Sequence, residues 1–196
     1  MSSKAIFIDR DGTLNEDVGY ISDPKEFRLF DFAPEAVRLI NNSGFLVIVL
    51  TNQSGIARGF LTEEILGRLH DKMESELASQ GARIDRIYFC PHHPEIGEPP
   101  YKVDCDCRKP KSGLILQAAT EMDVNLRKSY VIGDRYRDME TGQAVGATGV
   151  LVLTGFGREE ALTPPANRLQ QPEHVAENLV EAVRWILNRE NLDKSR

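Results

Sequence analysis

Two aspartates stand two positions apart in Asp9-Arg10-Asp11-Gly12-Thr13, directly after the short apolar run Ala5-Ile6-Phe7-Ile8. Residues i and i+2 at the end of a buried strand can both approach one centre once the chain leaves the sheet, and Gly12 permits the tight turn and close backbone approach. Carboxylates gathered in this way are suited to nucleophilic and acid–base chemistry. The competing reading is an ordinary polar turn, which Asp-Gly commonly marks. Further polar groups follow later apolar runs: Thr51-Asn52-Gln53 after Phe45–Leu50, and Gly133-Asp134-Arg135-Tyr136-Arg137-Asp138 after Tyr130-Val131-Ile132. Asn52 reads most simply as a strand-end cap and Asp138 as the N-cap of a following helix. Asp134, beside a glycine at a strand end, is harder to account for in that way. Lys109, in Arg108-Lys109-Pro110-Lys111, brings a cation just ahead of another helix, where a solvated basic run is the alternative.

A second cluster has metal-binding character. Cys90-Pro91-His92-His93 and Cys105-Asp106-Cys107 contain all three cysteines of the chain, an odd number for a disulfide framework. Cys90, His92, Cys105 and Cys107 make a Cys₃His set suited to tetrahedral Zn²⁺, with His93 an alternative to His92. Four protein ligands fill the coordination sphere, so this zinc is expected to be structural. The loop 90–107 is restricted by Pro91, Pro94, Pro99 and Pro100 but has nothing with which to build a core of its own.

These groups need a frame. Strand-like runs at Ala5–Ile8, Phe45–Leu50, Ile84–Phe89, Tyr130–Ile132 and Val150–Leu153 alternate with helical patterns at Pro34–Asn42, Thr62–Gln80, Gly113–Met122 and Asp138–Val145. A last helix is expected over Pro172–Asn188, with Val175, Leu179, Val183 and Ile186 on one face, after a surface loop at Ala161–Pro172. The alternation predicts an α/β fold, a doubly wound, Rossmann-like parallel sheet with helices on both faces, forming one domain over 1–196 with the zinc-binding loop inserted. In such sheets ligands bind beyond the carboxyl ends of the strands, where the polar clusters lie.

The 196 residues are 41% apolar and 28% charged, ordinary for a globular protein, and carry a net charge of -6. That balance argues against nucleic-acid or anionic-membrane partners, so any positive charge for an anionic substrate must be concentrated locally. No apolar run approaches the roughly 20 residues that cross a bilayer. The chain runs straight from Met1-Ser2-Ser3-Lys4 into a strand with no signal-peptide pattern, so a cytoplasmic protein is expected, and a monomer.

The ordered set Asp9-x-Asp11-Gly-Thr, Thr51, Lys109 and Gly133-Asp134-x-x-x-Asp138 resembles the haloacid-dehalogenase-like (HAD) phosphohydrolase superfamily over roughly Ala5 to Phe156. The resemblance implies an HAD-type sheet and a Mg²⁺-dependent phosphatase. Asp9 would be the nucleophile that becomes an aspartyl-phosphate, and Asp11 the general acid and then base. Thr51 and Lys109 would hold the transferred phosphoryl oxygens; Asp9, Asp134 and the backbone carbonyl of Asp11 would hold Mg²⁺. The acid role leads to the expectation that burial and neighbouring negative charge raise the pKa of Asp11.

The zinc loop just before Arg108-Lys109-Pro110 narrows the resemblance to the branch of heptose-bisphosphate 7-phosphatases and the related histidinol-phosphate phosphatases, which implies no large cap domain. Asn15, Asp17, Gly19, Tyr20, Thr51-Asn52-Gln53-Ser54-Gly55 and Arg58 match the former. By resemblance, Asp17, Gly19, Tyr20, Asn52, Gln53 and Ser54 would line the substrate site. Arg108 would recognise the second phosphate of a phosphorylated sugar, with Arg135 standing where a lysine is expected. For Asp17 and Tyr20 a loop acid and a surface aromatic remain the alternative, and Arg58 and Arg137 are left open between substrate and solvent. Competing functions are a histidinol-phosphate phosphatase, a non-enzymatic zinc module, and a phosphate-accepting signalling domain. The last is disfavoured by Asp11, which would hydrolyse the intermediate quickly.

Overall fold

A computed structural model describes residues 2–166 and 171–194. Six strands, β1 (Lys4–Ile8), β2 (Phe45–Asn52), β3 (Arg86–Cys90), β4 (Tyr130–Gly133), β5 (Thr148–Val152) and β6 (His174–Ala176), form one sheet in the order β3-β2-β1-β4-β5-β6. Every pairing is parallel. The helices are α1 (Ala33–Asn41), α2 (Glu63–Ser79), α3 (Gly113–Met122), α4 (Tyr136–Gln143), α5 (Gly157–Leu162) and α6 (Leu179–Lys194).

The apolar continuity of β1 follows from burial on both faces. Successive side chains point to opposite sides of a strand. Ile6 and Ile8 therefore join Val47, Val49, Ile132 and Val150 in the layer under α1, α2 and α6, while Ala5 and Phe7 join Ile48, Leu50 and Val131 in the layer under α3. Thr62 caps α2 by accepting the Ile65 N–H at 3.2 Å, and Glu63 and Glu64 occupy its first turn, where negative charge suits the helix dipole. The strand order reverses at β1, with β2 on one side and β4 on the other. A crevice forms there beyond the carboxyl ends.

The doubly wound parallel sheet is as expected, and the described residues contain no large cap: β1 and α1 are joined by a loop with a single 3₁₀ turn, Pro24–Glu26. Among the described residues no helix is long and apolar enough to cross a membrane. The C-terminal third departs from expectation. His174–Ala176 is an edge strand, so Val175 points outward, 43% exposed, and is not on the apolar face of α6, which begins at Leu179. Three residues are too few for periodicity to reveal a strand, and pairing with β5 decides it. The expected loop 161–172 begins with the end of α5, and its residues 167–170 lie outside those described.

Candidate active site

The carboxyl ends of β1, β2 and β4 bring Asp9, Thr51 and Asp134 together at the floor of a cavity, with Lys109 delivered from the loop before α3. Asp9 is buried, and its Oδ1 accepts the Arg10 N–H at 2.7 Å and pairs with Lys109 Nζ at 2.8 Å. Lys109 Nζ also lies 2.7 Å from Asp138 Oδ1 and donates to the Leu50 carbonyl at 2.9 Å. Burial opposes its charge, but Asp138 and Asp9 outweigh burial and raise its pKa. Asn52 fixes the same residue from the side: its Oδ1 accepts the Lys109 N–H and its Nδ2 donates to the Lys109 carbonyl, both at 3.1 Å. The amide expected to touch substrate thus positions Lys109.

Asp134, 1% exposed, has one oxygen satisfied and one not: Oδ2 accepts the Phe156 N–H at 2.8 Å, while the buried Oδ1 has no partner. A Cβ at Gly12, whose φ is +82°, or at Gly155 would collide with this carboxylate, so the two glycines let the backbone close around it. Oxygens of Asp9, Asp134 and Asp138 lie within 4.8 Å of one another. Burial, then the charge of Asp9, pushes Asp134 up to about 8. Burial likewise pushes Asp9 up to about 6, against the pull of Lys109. Two crowded buried carboxylates with an unsatisfied oxygen form a set of hard donors that fits Mg²⁺. Asp138 commits one oxygen to the Arg135 N–H at 3.2 Å and turns the other to Lys109, whereas Asp9 meets Lys109 and the Arg10 N–H through Oδ1 alone, so Asp9 and Asp134 are the carboxylates with an oxygen left for a metal.

Asp11 is not in that cluster; the expectation for it concerned its backbone carbonyl. Its side chain is gripped by Arg10, whose Nη2 lies 2.8 Å from both carboxylate oxygens and whose Nε donates to Oδ1 at 3.0 Å. Asn15 Nδ2 donates to Oδ1 at 3.0 Å and Gln53 Nε2 to Oδ2 at 2.8 Å. Gln53 Nε2 also donates to Thr51 Oγ1 at 2.8 Å, tying the two strand ends together. The expected upward shift of Asp11 is corrected here. Burial does push it up, but Arg10 and the donors Asn15 and Gln53 overcome burial and hold its pKa below the ordinary carboxylate value. Arg10 is itself 2% exposed and rests against His70 Nε2 at 3.4 Å. Burial and that guanidinium push His70 down to about 4, leaving a neutral ring able to accept. Nothing in the sequence pattern singles out Arg10 except its parity, which, opposite to Asp9 and Asp11 at a strand end, points a charge into the core, where it needs a partner.

The Cys₃His residues converge as well. Cys90 Sγ is 3.5 Å from Cys105 Sγ, Cys105 Sγ 3.1 Å from Cys107 Sγ, and His92 Nδ1 3.3 Å from Cys107 Sγ and 3.8 Å from Cys90 Sγ. Zn–S bonds of about 2.3 Å imply tetrahedral edges of roughly 3.7 Å, so this set fits zinc. His93 turns away: its Nδ1 accepts the N–H groups of Glu95 and Ile96, and its Nε2 meets Arg58.

Above the floor the cavity is lined by Asp17, Gly19, Tyr20, Asn52, Gln53, Ser54 and Phe156, with Arg58, Arg108, Arg135 and Arg137 among its walls. Arg135 stacks 3.5 Å from the Phe156 ring centroid and lies 3.8 Å from Glu160. The charge of Arg137 reaches the floor, where it lowers the proton affinity of both Asp9 and Lys109. An acidic protein has thus gathered four guanidiniums around one carboxylate floor, the local concentration of positive charge that an anionic ligand requires.

Residues 106–182 match the HAD-hydrolase-like family model. The chain is 46% identical over 156 residues to the D-glycero-beta-D-manno-heptose-1,7-bisphosphate 7-phosphatase of Haemophilus influenzae, covering 78% of this chain and 83% of that protein. It is 39% identical over 188 residues to the enzyme of that name from Escherichia coli, covering 95% and 90% respectively. The crystal structure of D,D-heptose 1,7-bisphosphate phosphatase from B. bronchiseptica, complexed with magnesium and phosphate, superposes with a TM-score of 0.85 at 32% identity, covering 95% of this chain and 99% of that one. Relatives of that identity and coverage carry an assignment that strand-end carboxylates alone could not, and the chain belongs to the heptose-1,7-bisphosphate 7-phosphatase family of HAD-like phosphatases.

Proposed function

We propose that this chain removes the 7-phosphate of D-glycero-D-manno-heptose 1,7-bisphosphate, with Asp9 as the phosphorylated nucleophile, in the supply of nucleotide-activated heptose for the lipopolysaccharide core. The observation that carries this reading is the ring of Arg58, Arg108, Arg135 and Arg137 over a buried floor of Asp9, Lys109 and Asp134. One phosphate needs only the floor, and the ring offers a second anion a place to bind. Mg²⁺ held by Asp9, Asp134 and the Asp11 carbonyl would supply the positive charge that lets a phosphate dianion approach carboxylates.

Among the described residues no donor reaches Asp9 Oδ2, which leaves this oxygen for attack on phosphorus, while Lys109 and Thr51 would hold the equatorial oxygens as charge spreads over them. Asp11 would protonate the leaving sugar oxygen and then deprotonate the attacking water. Because Arg10 keeps Asp11 ionised at rest, its proton would be taken up with the negative charge of the arriving phosphate. Asp17, Gly19, Tyr20, Gln53 and Ser54 would meet sugar hydroxyls, and Arg108 and Arg135 phosphate oxygens. The domain is taken as 1–196 with zinc bound in loop 90–107. Three reduced cysteines suited to one metal fit a cytoplasmic enzyme, and the chain is taken as a monomer. A histidinol phosphate would bring its amine cation against the arginine ring, which disfavours that alternative.

The test is a panel of α- and β-heptose 1,7-bisphosphate and histidinol phosphate, followed by phosphate release. The heptose substrates are expected to exceed histidinol phosphate in kcat/KM by a factor on the order of 100 or more, and the reverse order would overturn the assignment. Metal removal gives a second expectation. With pKa values of about 6 and 8 against 3.8, native Asp9 and Asp134 hold more protons than in the unfolded chain, so their contribution to stability is lost as pH rises through those values. Mg²⁺ relieves this repulsion, so the rise in Tm that saturating Mg²⁺ produces should grow between pH 5 and pH 8, roughly the window of those pKa values. Thermal melts with and without Mg²⁺ check it, and an increment independent of pH would contradict it.

A further inference from the structure

Arg58 lies in the turn after β2, where its N–H donates to the Ser54 carbonyl at 3.1 Å. Its side chain lines the cavity, yet among the described residues no carboxylate pairs with it, and its buried Nε has no hydrogen-bond partner. Its Nη2 stands 3.1 Å from His93 Nε2. That contact is not a satisfied one. His93 Nδ1 accepts two backbone N–H groups, from Glu95 and Ile96, each at 3.1 Å, and a neutral imidazole has only one nitrogen without a proton. Nε2 therefore carries the ring proton, and a guanidinium can only donate. Two donors face each other at a distance where an acceptor belongs.

The surroundings hold this arrangement in place. The guanidinium lies 5.9 Å over the Tyr20 ring, which itself packs 4.7 Å from Phe60. Arg108 Nη1 donates to the His92 carbonyl at 3.2 Å, so Arg58 and Arg108 stand beside consecutive residues of the zinc loop and both line the cavity. An oxyanion seated there would accept from Arg58 and from His93 Nε2 together, replacing a donor–donor contact with charge-assisted hydrogen bonds.

We propose that Arg58, backed by His93, joins Arg108 in the subsite for the non-reacting phosphate, and so determines selectivity for doubly phosphorylated sugars; this rests on the function proposed above. The test compares heptose 1,7-bisphosphate with heptose 7-phosphate in the wild type, Arg58→Ala and Arg58→Lys, with zinc content measured in each. The ratio of kcat/KM for the bisphosphate over the monophosphate is expected to fall by about 10- to 100-fold in Arg58→Ala, mainly through KM. Arg58→Lys, which keeps the charge but not the fork, should fall between. A wild-type ratio retained by Arg58→Ala would overturn the role of Arg58 and leave the function standing. A fall confined to variants that have lost zinc would also overturn it, making Arg58 a structural residue of the loop. A wild type with no preference for the bisphosphate would overturn the function itself, and the role of Arg58 with it.

Discussion

Asp9→Asn is expected to lower phosphate release by a factor on the order of 10⁴ or more, while leaving Tm in the absence of Mg²⁺ equal to or above that of the wild type. The two halves of this expectation have one cause. Asp9 is buried beside Asp134, and its raised pKa records that its charge is held against the preference of the site. The amide has the same shape, keeps an oxygen for the Arg10 N–H, and removes a charge that Asp134 opposes. Lys109 loses one carboxylate but retains Asp138 and the Leu50 carbonyl. What the amide lacks is a nucleophilic oxygen, and no neighbour can supply one: Asp138 is engaged with Lys109 and Asp11 with Arg10. Steady-state turnover and thermal melts on the same preparations check both halves. Turnover within tenfold of the wild type would sink Asp9 as nucleophile. A large drop in metal-free Tm would show that the charge is structural.

This trade of stability against chemistry also explains which parts of the molecule were legible from sequence. Strands buried on both faces announce themselves: Phe45–Leu50 and Ala5–Ile8 need no partner to be recognised, and once a parallel sheet is inferred, the polar residues that follow β1, β2 and β4 must share one edge. The short edge strand β6 and the helix α5 were invisible because pairing and packing, not periodicity, define them. Within the site, residue types were legible but their partners were not. Asp138 reads as an N-cap but sits at the third position of α4, where its carboxylate accepts the N–H of the capping residue Arg135, and the same carboxylate also faces Lys109, a contact 29 positions away in the chain. Asn52 reads as a strand-end cap, and its long-range bonds to the Lys109 backbone appear only in three dimensions. The proton affinity of Asp11 was expected in the wrong direction because Asp9 stands two positions away, whereas only the fold decides that the adjacent Arg10 turns its guanidinium onto Asp11 as a fork.

Removing zinc is expected to raise KM for the heptose bisphosphate more than it lowers kcat. The loop 90–107 separates two groups of contacts with different anchors. Lys109 is secured independently of the metal, by two bonds to Asn52, by the Leu50 carbonyl and by two carboxylates. Among the described residues the Arg108 side chain is held by the carbonyl of His92, a zinc-cluster residue, and the Arg58 side chain is positioned by the adjacent His93 and the Tyr20 ring with no satisfied hydrogen bond of its own. Without metal, burial pushes Cys90 and Cys107 up, joined at Cys107 by the neighbouring thiols, so these two would keep their protons, and thiol hydrogen bonds are too weak to close a loop that has little core. The arginines would then sample many positions, and misplacement on the scale of an ångström can cost about 100-fold where a group must be oriented. The Cys105→Ser/Cys107→Ser protein should therefore show KM for the bisphosphate raised by roughly 100-fold and kcat lowered by no more than about tenfold. A generic aryl phosphate, which has no second anion to place, should lose much less. Steady-state kinetics on both substrates, alongside zinc content, check this. Wild-type kinetics would separate the metal from the site altogether, and a loss confined to kcat would place its effect on Lys109 and the floor instead of on the arginines that recognise the second phosphate.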